Sequence, residues 1–255
     1  MTKPPTPKPE KQRLDLLMVA QNLAPTRSKA RDLINQGYVY VDGEQVTKAG
    51  QNWAPTATIT LSPSTPDYVS RSAAKLEHGL KIFSVDVEGR TALDVGASTG
   101  GFTQILLKAG AAHVYAVDVG HDQLHESLVK DERVTNLEGR DARSLRGQDF
   151  DPLPTILTCD ASFISLIKVI EAPMKILPPG SWLIALIKPQ FEVSKKDLNK
   201  KGVVRDQALS DEAIARIVKW FENQPKWHVI GTTPSPIAGH AGNRETLICV
   251  GKEDE

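Results

Sequence analysis

Leu93-Asp94-Val95-Gly96-Ala97-Ser98-Thr99-Gly100-Gly101-Phe102 is the stretch of the chain from which the fold can be predicted. Its first residues have the composition of a buried strand, its glycines predict a tight turn, and the residues that follow have helical spacing. Glycines allow a ligand to approach the backbone closely, and the N-terminus of a helix favours polar or anionic groups. The stretch therefore predicts a ligand-binding strand-turn-helix unit, although a turn that binds no ligand has the same pattern.

Strand-like and helix-like segments alternate on both sides of this turn. The predicted strands are 91–96, 113–119, 134–139, 155–160, 181–188, 227–233 and 246–252, and the predicted helices are 70–81, 102–109, 122–130, 164–177 and 210–223. Such alternation predicts a parallel sheet with helices on both faces. The last two strands are joined by a loop too short for a crossover helix, so we expect them to pair antiparallel at one edge. The predicted fold is a Rossmann-like α/β domain with a seven-stranded, mostly parallel sheet.

Charged side chains stand where the predicted strands end. Asp118 ends the second strand, Asp141 follows the third, Asp160 ends the fourth and Lys188 ends the fifth. Ligands of open α/β sheets bind outside the carboxyl ends of the strands, so we expect these groups to converge on one cleft. Asp118 can accept hydrogen bonds from the ribose hydroxyls of a cofactor. A nicotinamide cofactor also contains such a ribose, so Asp118 does not identify which cofactor is bound. Each charge alone also fits a solvated loop, but together they favour a binding site.

The residues before this domain predict a small separate unit. Helical spacing over 13–23 and 27–35 is followed by a hairpin pattern around Asp42-Gly43, and Thr26 is suited to cap the second helix. The predicted boundaries are a disordered arm rich in proline and lysine at 1–12, a small α+β domain at 13–61, a linker at 62–67 and the large domain at 68–251.

Composition excludes several classes of protein. The chain has 31 Lys and Arg against 31 Asp and Glu, so any contact with nucleic acid must rely on local charge. Cys159 and Cys249 lie in apolar runs and predict reduced core thiols, and the six histidines have no metal-ligand spacing, so we predict no metal site. No segment has the roughly 20 apolar residues of a membrane helix, and no secretory signal is recognisable. We therefore expect a cytoplasmic protein without a membrane partner.

Seven motifs occur along the chain in the order of a known family. They are YVSRSAAKL at 68–76, DVGASTGGFT at 94–103, AVDVGHDQL at 116–124, CDASFISL at 159–166, LIKPQFE at 186–192, KGVVRD at 201–206 and GNRETL at 242–247. Through these motifs residues 68–250 resemble the FtsJ-type ribose methyltransferases, and the whole chain resembles the TlyA family, often labelled haemolysin A. Thr99 stands where the general FtsJ pattern has proline, which matches the TlyA branch.

The resemblance implies a class I methyltransferase that uses S-adenosylmethionine to methylate a ribose 2′-hydroxyl of ribosomal RNA, typically at cytidine. It also implies a catalytic tetrad of Lys75, Asp160, Lys188 and Glu245. A ribose hydroxyl is a poor nucleophile near neutral pH, and we expect Lys188 to be its base. The expected cofactor-binding residues are Asp94, Gly96, Ala97, Ser98, Thr99, Gly100, Gly101, Phe102, Asp118 and Asp141.

The small amino-terminal unit resembles the RNA-binding module first seen in ribosomal protein S-four. Residues on or beside its two helices that could contact phosphates are Arg13, Arg27, Ser28, Lys29 and Arg31. A solvated helical face is the alternative for each of them. The basic segment 194–206 predicts either a lid that touches RNA or a solvated loop. The expected partner is ribosomal RNA, free or in ribosomal subunits.

The sequence leaves three other functions open. The chain could be an RNA-binding assembly factor without catalysis, a nicotinamide dehydrogenase, or the membrane-active cytolysin that the family label suggests. The presence of all four tetrad residues argues against the assembly factor. The cytolysin lacks support because no export signal, spanning segment or strongly amphipathic basic helix is found.

Overall fold

The computed structural model describes residues 10–65, 67–239 and 242–254, and the chain divides into two compact units, Met1–Asp67 and Tyr68–Glu255. Residues 1–9 of the predicted arm and Pro66 of the predicted linker lie outside the described residues. Gln12, which the sequence analysis assigns to the arm, is instead in a strand, because its backbone pairs with Trp53 and this pairing needs no apolar side chain. The domain and linker bounds remain predictions.

The smaller unit is an α+β domain, as predicted. Its elements are β1 (Gln12–Arg13), α1 (Leu14–Ala20), α2 (Arg27–Asn35), β2 (Val39–Val41), β3 (Glu44–Gln45), β4 (Asn52–Trp53) and β5 (Ile59–Leu61). The hairpin of β2 and β3 turns at Asp42 and Gly43, both with positive φ, and Thr26 caps α2 by accepting the backbone N–H of Lys29. The first helix ends before the predicted Leu23 because Asn22 adopts a left-handed conformation. Strands β1, β4 and β5 are too short to have a recognisable pattern.

The larger unit contains one seven-stranded sheet. Its strands are β6 (Thr91–Val95), β7 (His113–Asp118), β8 (Val134–Glu138), β9 (Ile156–Cys159), β10 (Trp182–Ile187), β11 (Trp227–Pro234) and β12 (Thr246–Lys252). The order across the sheet is β11-β12-β10-β9-β6-β7-β8. Strand β12 is antiparallel to both β10 and β11, and the pairs from β10 to β8 are parallel. The predicted mostly parallel sheet with an antiparallel edge is confirmed.

The larger unit also has five α-helices among its described residues. They are α3 (Ala73–Phe83), α4 (Gly101–Lys108), α5 (Glu126–Val129), α6 (Leu166–Ile176) and α7 (Gln207–Glu222). The helix predicted over 122–130 was therefore too long. Asp122 has a φ of 55°, and the backbone N–H groups of Gln123 and Leu124 donate to the Glu138 carboxylate instead of forming a helical turn. No helix in these described ranges is both long and apolar enough to cross a membrane.

Two hydrophobic clusters cover the two faces of the sheet. Leu93 and Ala185 belong to the cluster with Ile170 of α6, whereas Ile184 belongs to the cluster with Leu106 of α4. The strands are therefore apolar on both sides, as in buried parallel sheets. Chain order runs from β6 outward to β7 and β8 on one side, and from β9 outward to β10 on the other. The order reverses between β6 and β9, where such sheets bind ligands.

Candidate active site

The glycine-rich turn after β6 packs tightly against the chain that follows β9. Gly96 has a φ of 80°, and a side chain there would place its Cβ 2.9 Å from the backbone of Ala161. A Cβ at Gly101 would lie 2.2 Å from Ser72 Oγ, next to the start of α3. Because Gly96 and Gly101 have no side chains, the turn can approach both Ala161 and the start of α3. These three segments surround one space.

That space is a cavity of about 900 Å³ at the carboxyl ends of β6, β9 and β10. Eight of the predicted site residues line this cavity: Lys75, Gly96, Ala97, Ser98, Phe102, Asp160, Lys188 and Glu245. The predicted catalytic tetrad and part of the predicted cofactor turn thus face the same cavity. Of the predicted cofactor residues, those that do not line it are Asp94, Thr99, Gly100, Gly101, Asp118 and Asp141.

The four tetrad side chains form a chain of alternating charge. Lys75 Nζ lies 2.7 Å from Glu245 Oε2 and 3.5 Å from Asp160 Oδ2, and Lys188 Nζ lies 2.7 Å from Asp160 Oδ1. Each residue comes from a different part of the chain: α3, the end of β9, the end of β10 and the loop before β12. All four side chains are at most 13% exposed. Two cations and two anions are therefore held together with little solvent around them.

Lys188 has three oxygen atoms within contact distance. Besides the Asp160 carboxylate, its Nζ donates to the backbone carbonyl of Asp160 and to Ser162 Oγ, both at 2.9 Å. The contact with Asp160 Oδ1 is an ion pair at 2.7 Å, and the other two contacts are hydrogen bonds. Asp160 and Ser162 thus define the direction in which the Lys188 amine points.

Several cavity residues were missed by the sequence analysis. Ser162 contacts Lys188, Gln190 donates from Nε2 to Glu245 Oε1 at 3.3 Å, and Asn243 donates from Nδ2 to Gly202 O at 3.1 Å. Phe163 is 91% exposed, has a φ of 64° and lies beside Phe191, with 5.2 Å between the ring centres. The motifs around Asp160, Lys188 and Glu245 contain Ser162, Phe163, Gln190, Phe191 and Asn243, but their positions in the motifs do not indicate which side chains meet.

Asp94 lies beneath the turn and does not reach the cavity. It is fully buried, and its carboxylate accepts hydrogen bonds from Thr103 Oγ1 at 2.7 Å and Thr158 Oγ1 at 3.0 Å. Burial raises the pKa of Asp94 to about 6, although both threonine hydrogen bonds oppose this rise. Asp94 therefore connects β6 with α4 and β9, and it supports the turn from below.

The other two predicted cofactor carboxylates lie outside the cavity lining. Asp118 is half-buried and accepts the backbone N–H groups of Ser98 and Gly120, each at 2.8 Å, so it is next to the turn. Asp141 forms an ion pair with Arg143 at 2.5 Å and caps a short 3-10 helix. The hydrogen bond from Arg143 lowers the pKa of Asp141. Asp118 therefore contacts the turn, whereas the contacts of Asp141 are with the residues that follow it in the chain.

The basic segment 194–206 is folded over one side of the cavity. It contains a short 3-10 helix, Lys195–Asp197, and an isolated antiparallel bridge between Leu198 and Val204. Lys195 and Lys201 are exposed and line the cavity. The hydrogen bond from Asn243 to Gly202 connects this segment to the loop that carries Glu245.

The residues predicted to bind RNA lie in the smaller unit. Arg13 and Arg27 both contact the buried carboxylate of Asp15, each at 2.9 Å, and their side chains remain 41% and 50% exposed. The hydrogen bond from Arg13, followed by that from Arg27, lowers the pKa of Asp15 to about 2 despite its burial. Ser28 and Arg31 are exposed, and Lys29 is half-buried, which lowers its pKa. Asp15, which contacts two of these five residues, was not predicted from the sequence.

Comparisons with known proteins agree with this architecture. Residues 68–252 match the model of the FtsJ-like methyltransferases, and residues 12–55 match the S4 domain. The chain is 39% identical over 237 residues to the 16S/23S rRNA (cytidine-2′-O)-methyltransferase TlyA of Mycobacterium tuberculosis, covering 92% of this chain and 88% of the relative. It is also 39% identical over 240 residues to hemolysin A of Brachyspira hyodysenteriae, covering 92% of this chain and 98% of the relative.

A solved structure gives the same result. A hemolysin-like protein from Streptococcus thermophilus is 36% identical, with a TM-score of 0.74 over 98% of this chain and 90% of that chain. The predicted family is confirmed by identity that extends over both units. The chain belongs to the TlyA family of FtsJ-like methyltransferases.

Proposed function

We propose that this chain transfers a methyl group from S-adenosylmethionine to a ribose 2′-hydroxyl of ribosomal RNA, at a cytidine. The observation that carries the proposal is the cavity in which Lys75, Asp160, Lys188 and Glu245 meet beside the turn at Gly96. The relative from Mycobacterium tuberculosis is named for this reaction on 16S and 23S rRNA. Ribosomal RNA as substrate implies a cytoplasmic protein.

The residues of the turn fit the proposed cofactor. Gly96 has no Cβ where the backbone of Ala161 is close, which leaves the cavity open at the turn. Gly96, Ala97 and Ser98 would hold the cofactor, and Asp118 beside them would accept hydrogen bonds from its ribose. When bound, S-adenosylmethionine supplies an electrophilic methyl group on a sulfonium sulfur. Asp94 would act indirectly, by supporting the turn, and Thr99, Gly100, Gly101, Phe102 and Asp141 stay predicted contacts.

The tetrad residues have separate roles in the proposed reaction. Lys188 Nζ takes the proton of the 2′-hydroxyl, and Asp160 orients this amine and stabilises the positive charge that it gains. Lys75 holds the 2′-oxygen or a neighbouring phosphate, and Glu245 positions Lys75. As a base, Lys188 must be neutral and must turn its lone pair toward the substrate, which means giving up one of its three present oxygen contacts.

The smaller unit is proposed to bind RNA through Arg13, Arg27, Ser28, Lys29 and Arg31. Both arginines remain about half exposed while they contact Asp15, so part of each guanidinium is available to phosphate oxygens. Structured RNA is commonly recognised through shape and backbone contacts of this kind. Asp15 would keep the two guanidinium groups in a fixed relative position.

Methyl transfer to ribosomal RNA tests the proposal directly. Purified protein is incubated with a donor labelled in its methyl group and with small or large ribosomal subunits or free RNA, and ribose methylation is then mapped. We expect one or a few cytidines to be modified, and Lys188→Ala to abolish transfer while RNA affinity is kept. Lys219→Ala, an exposed position outside the cavity lining, is the control.

Two results would contradict the proposed reaction, and a third would contradict only the role of Lys188. RNA binding without any methyl transfer by the wild-type protein would indicate an assembly factor. Calorimetric binding of a nicotinamide cofactor in place of S-adenosylmethionine would indicate a dehydrogenase. Full activity of Lys188→Ala would remove Lys188 from the role of base.

A further inference from the structure

Gln190 occupies an unusual position for an amide side chain. It is 8% exposed, lines the cavity and lies in the 3-10 helix Pro189–Phe191, immediately after Lys188. Its Nε2 donates to Glu245 Oε1 at 3.3 Å, but its Oε1 is buried and has no hydrogen-bond partner among the residues that the structure describes. A buried polar atom without a partner costs free energy, and native proteins contain few of them. An apolar side chain would avoid this cost, so the amide requires an explanation.

The contact of Gln190 closes the tetrad into a ring. Lys75 connects Asp160 with Glu245, and Lys188 contacts Asp160 from the other side. Gln190 contacts the remaining oxygen of Glu245, and its backbone is joined to that of Lys188 through Pro189. A displacement of Glu245 would therefore be transmitted in both directions around the ring.

Glu245 is confined on three sides by this arrangement. Oε2 contacts Lys75, Oε1 contacts Gln190, and Gly239 approaches so closely that a Cβ there would lie 2.1 Å from Oε1. With both oxygens held, the plane of the carboxylate cannot rotate freely about its last bond. Gln190 does this without adding charge, whereas a cation at the same position would compete with Lys75 for Glu245.

We propose that Gln190 is a positioning residue for methyl transfer, which fixes Glu245 and through it the direction of the Lys75 ammonium. The inference rests on the proposed function, because it assigns Gln190 to the same tetrad. Gln190 does not exchange protons with the substrate; its buried amide keeps the cation in line with the ribose oxygen.

Gln190→Leu tests the inference because it keeps approximately the same volume but removes both the donor and the unpartnered oxygen. We expect kcat to fall by about 100-fold, the loss typical of a small misplacement of a catalytic group. The melting temperature and the affinities for donor and RNA should stay close to those of the wild type. Gln224→Leu is the control, since Gln224 is a half-buried amide outside the cavity lining, with Nε2 bonded to Trp220 O at 3.0 Å.

Gln190→Glu adds a readout that a purely structural role would not affect. A protonated carboxyl can donate an O–H to Glu245 as the amide does, whereas an ionised one repels it. The ratio of variant kcat to wild-type kcat should therefore rise as the pH is lowered. Among the described residues, Gln190 contacts Glu245, and the other charged side chains that line the same cavity are Arg71, Lys75, Asp160, Lys188, Lys195 and Lys201. Measuring the wild type at each pH corrects for the pH dependence that both proteins share.

The outcomes separate the two proposals. If the wild-type protein transfers no methyl group in this assay, the proposed function fails. If the wild type is active but Gln190→Leu retains its kcat, or the Gln190→Glu ratio does not change with pH, only the role of Gln190 is overturned. A loss of kcat in Gln190→Leu together with a lower melting temperature and weaker donor binding would also overturn it, since that pattern indicates general damage.

Discussion

Lys75 Nζ lies 2.7 Å from Glu245 Oε2 although the two residues are 170 positions apart in the chain. Their side chains are only 8% and 2% exposed. A buried ion pair loses much of its Coulomb energy to desolvation, so it is weak evidence for stability. In the cavity, however, the pair holds an ammonium in a defined position next to Asp160.

Glu245→Gln should disable catalysis while the protein remains folded. The variant keeps the shape of the side chain, but Lys75 is left with Asp160 at 3.5 Å as its nearby carboxylate. We expect kcat to decrease by about 100-fold, with little change in donor affinity, because the turn at Gly96 is not altered. Single-turnover methyl transfer and calorimetry measure the two quantities. Equal kcat values for variant and wild type would remove Glu245 from the tetrad.

Asp94→Asn should change how stability depends on pH. The carboxyl of Asp94 has a pKa of about 6 in the folded protein, whereas an aspartate exposed to water, as in the unfolded chain, has a pKa of 3.8. The folded protein therefore holds this proton more tightly than the unfolded chain does. This group therefore stabilises the fold at low pH, and that contribution is lost as the pH rises through about 6. Relative to the wild type, the variant should gain up to about 3 kcal/mol in unfolding free energy between about pH 4 and pH 7. Urea unfolding curves that shift in parallel would contradict this.

Asp15→Asn should destabilise the smaller unit with the opposite pH dependence. Arg13 and Arg27 lower the pKa of Asp15 to about 2, so its carboxylate stabilises the fold above about pH 4 and loses this effect as the pH falls through about 2. Because both guanidinium groups are about half exposed, we expect a loss of roughly 1–2 kcal/mol at neutral pH. The difference from the wild type in urea unfolding should disappear near pH 2. A difference that stays constant down to that pH would mean that the ion pairs contribute nothing.

Gly96→Ala should weaken cofactor binding, whereas an alanine that causes only backbone strain elsewhere should not. Its Cβ would meet the backbone of Ala161 at 2.9 Å, and its φ of 80° is unfavourable for alanine. Gly89→Ala is a matched control, since Gly89 has a φ of 68° but no atom of the described residues lies within 4 Å of the added Cβ. Both variants should lose about 1 kcal/mol through strain, but only Gly96→Ala should weaken donor binding by calorimetry. Equal donor affinities in the two variants would exclude the turn as the cofactor site.

Removing the positive charge of segment 194–206 should weaken RNA binding. The variant replaces Lys195, Lys196, Lys200 and Lys201 by Gln, and the control replaces Lys168, Lys175, Lys219 and Lys226, which are exposed but outside the cavity lining. Each lost phosphate contact should reduce the slope of log affinity against log salt by about 1. The control should keep both affinity and slope. An unchanged slope in the first variant would show that the segment is only a solvated loop.

Local patterns were sufficient to predict the architecture of the larger unit. The run from Thr91 to Val95 is mostly apolar and is followed by glycines, which predicts a buried strand and a tight turn. The alternation of strand-like and helix-like segments predicts a parallel sheet. Element ends were less predictable. Helix α5 is short because Glu138, from a different strand, takes the backbone N–H groups of Gln123 and Leu124.

Fold class, family and the chemical groups available at the strand ends follow from the chain alone, because periodicity, glycine turns and the order of motifs are features of the linear sequence. Which of these groups meet depends on the packing of the folded protein. Asp94 is buried under the turn, Asp141 pairs with Arg143, and Gln190 contacts Glu245. Such contacts depend on burial and on distances of a few ångströms between segments far apart in the chain, and these arise only when the sheet and its helices pack.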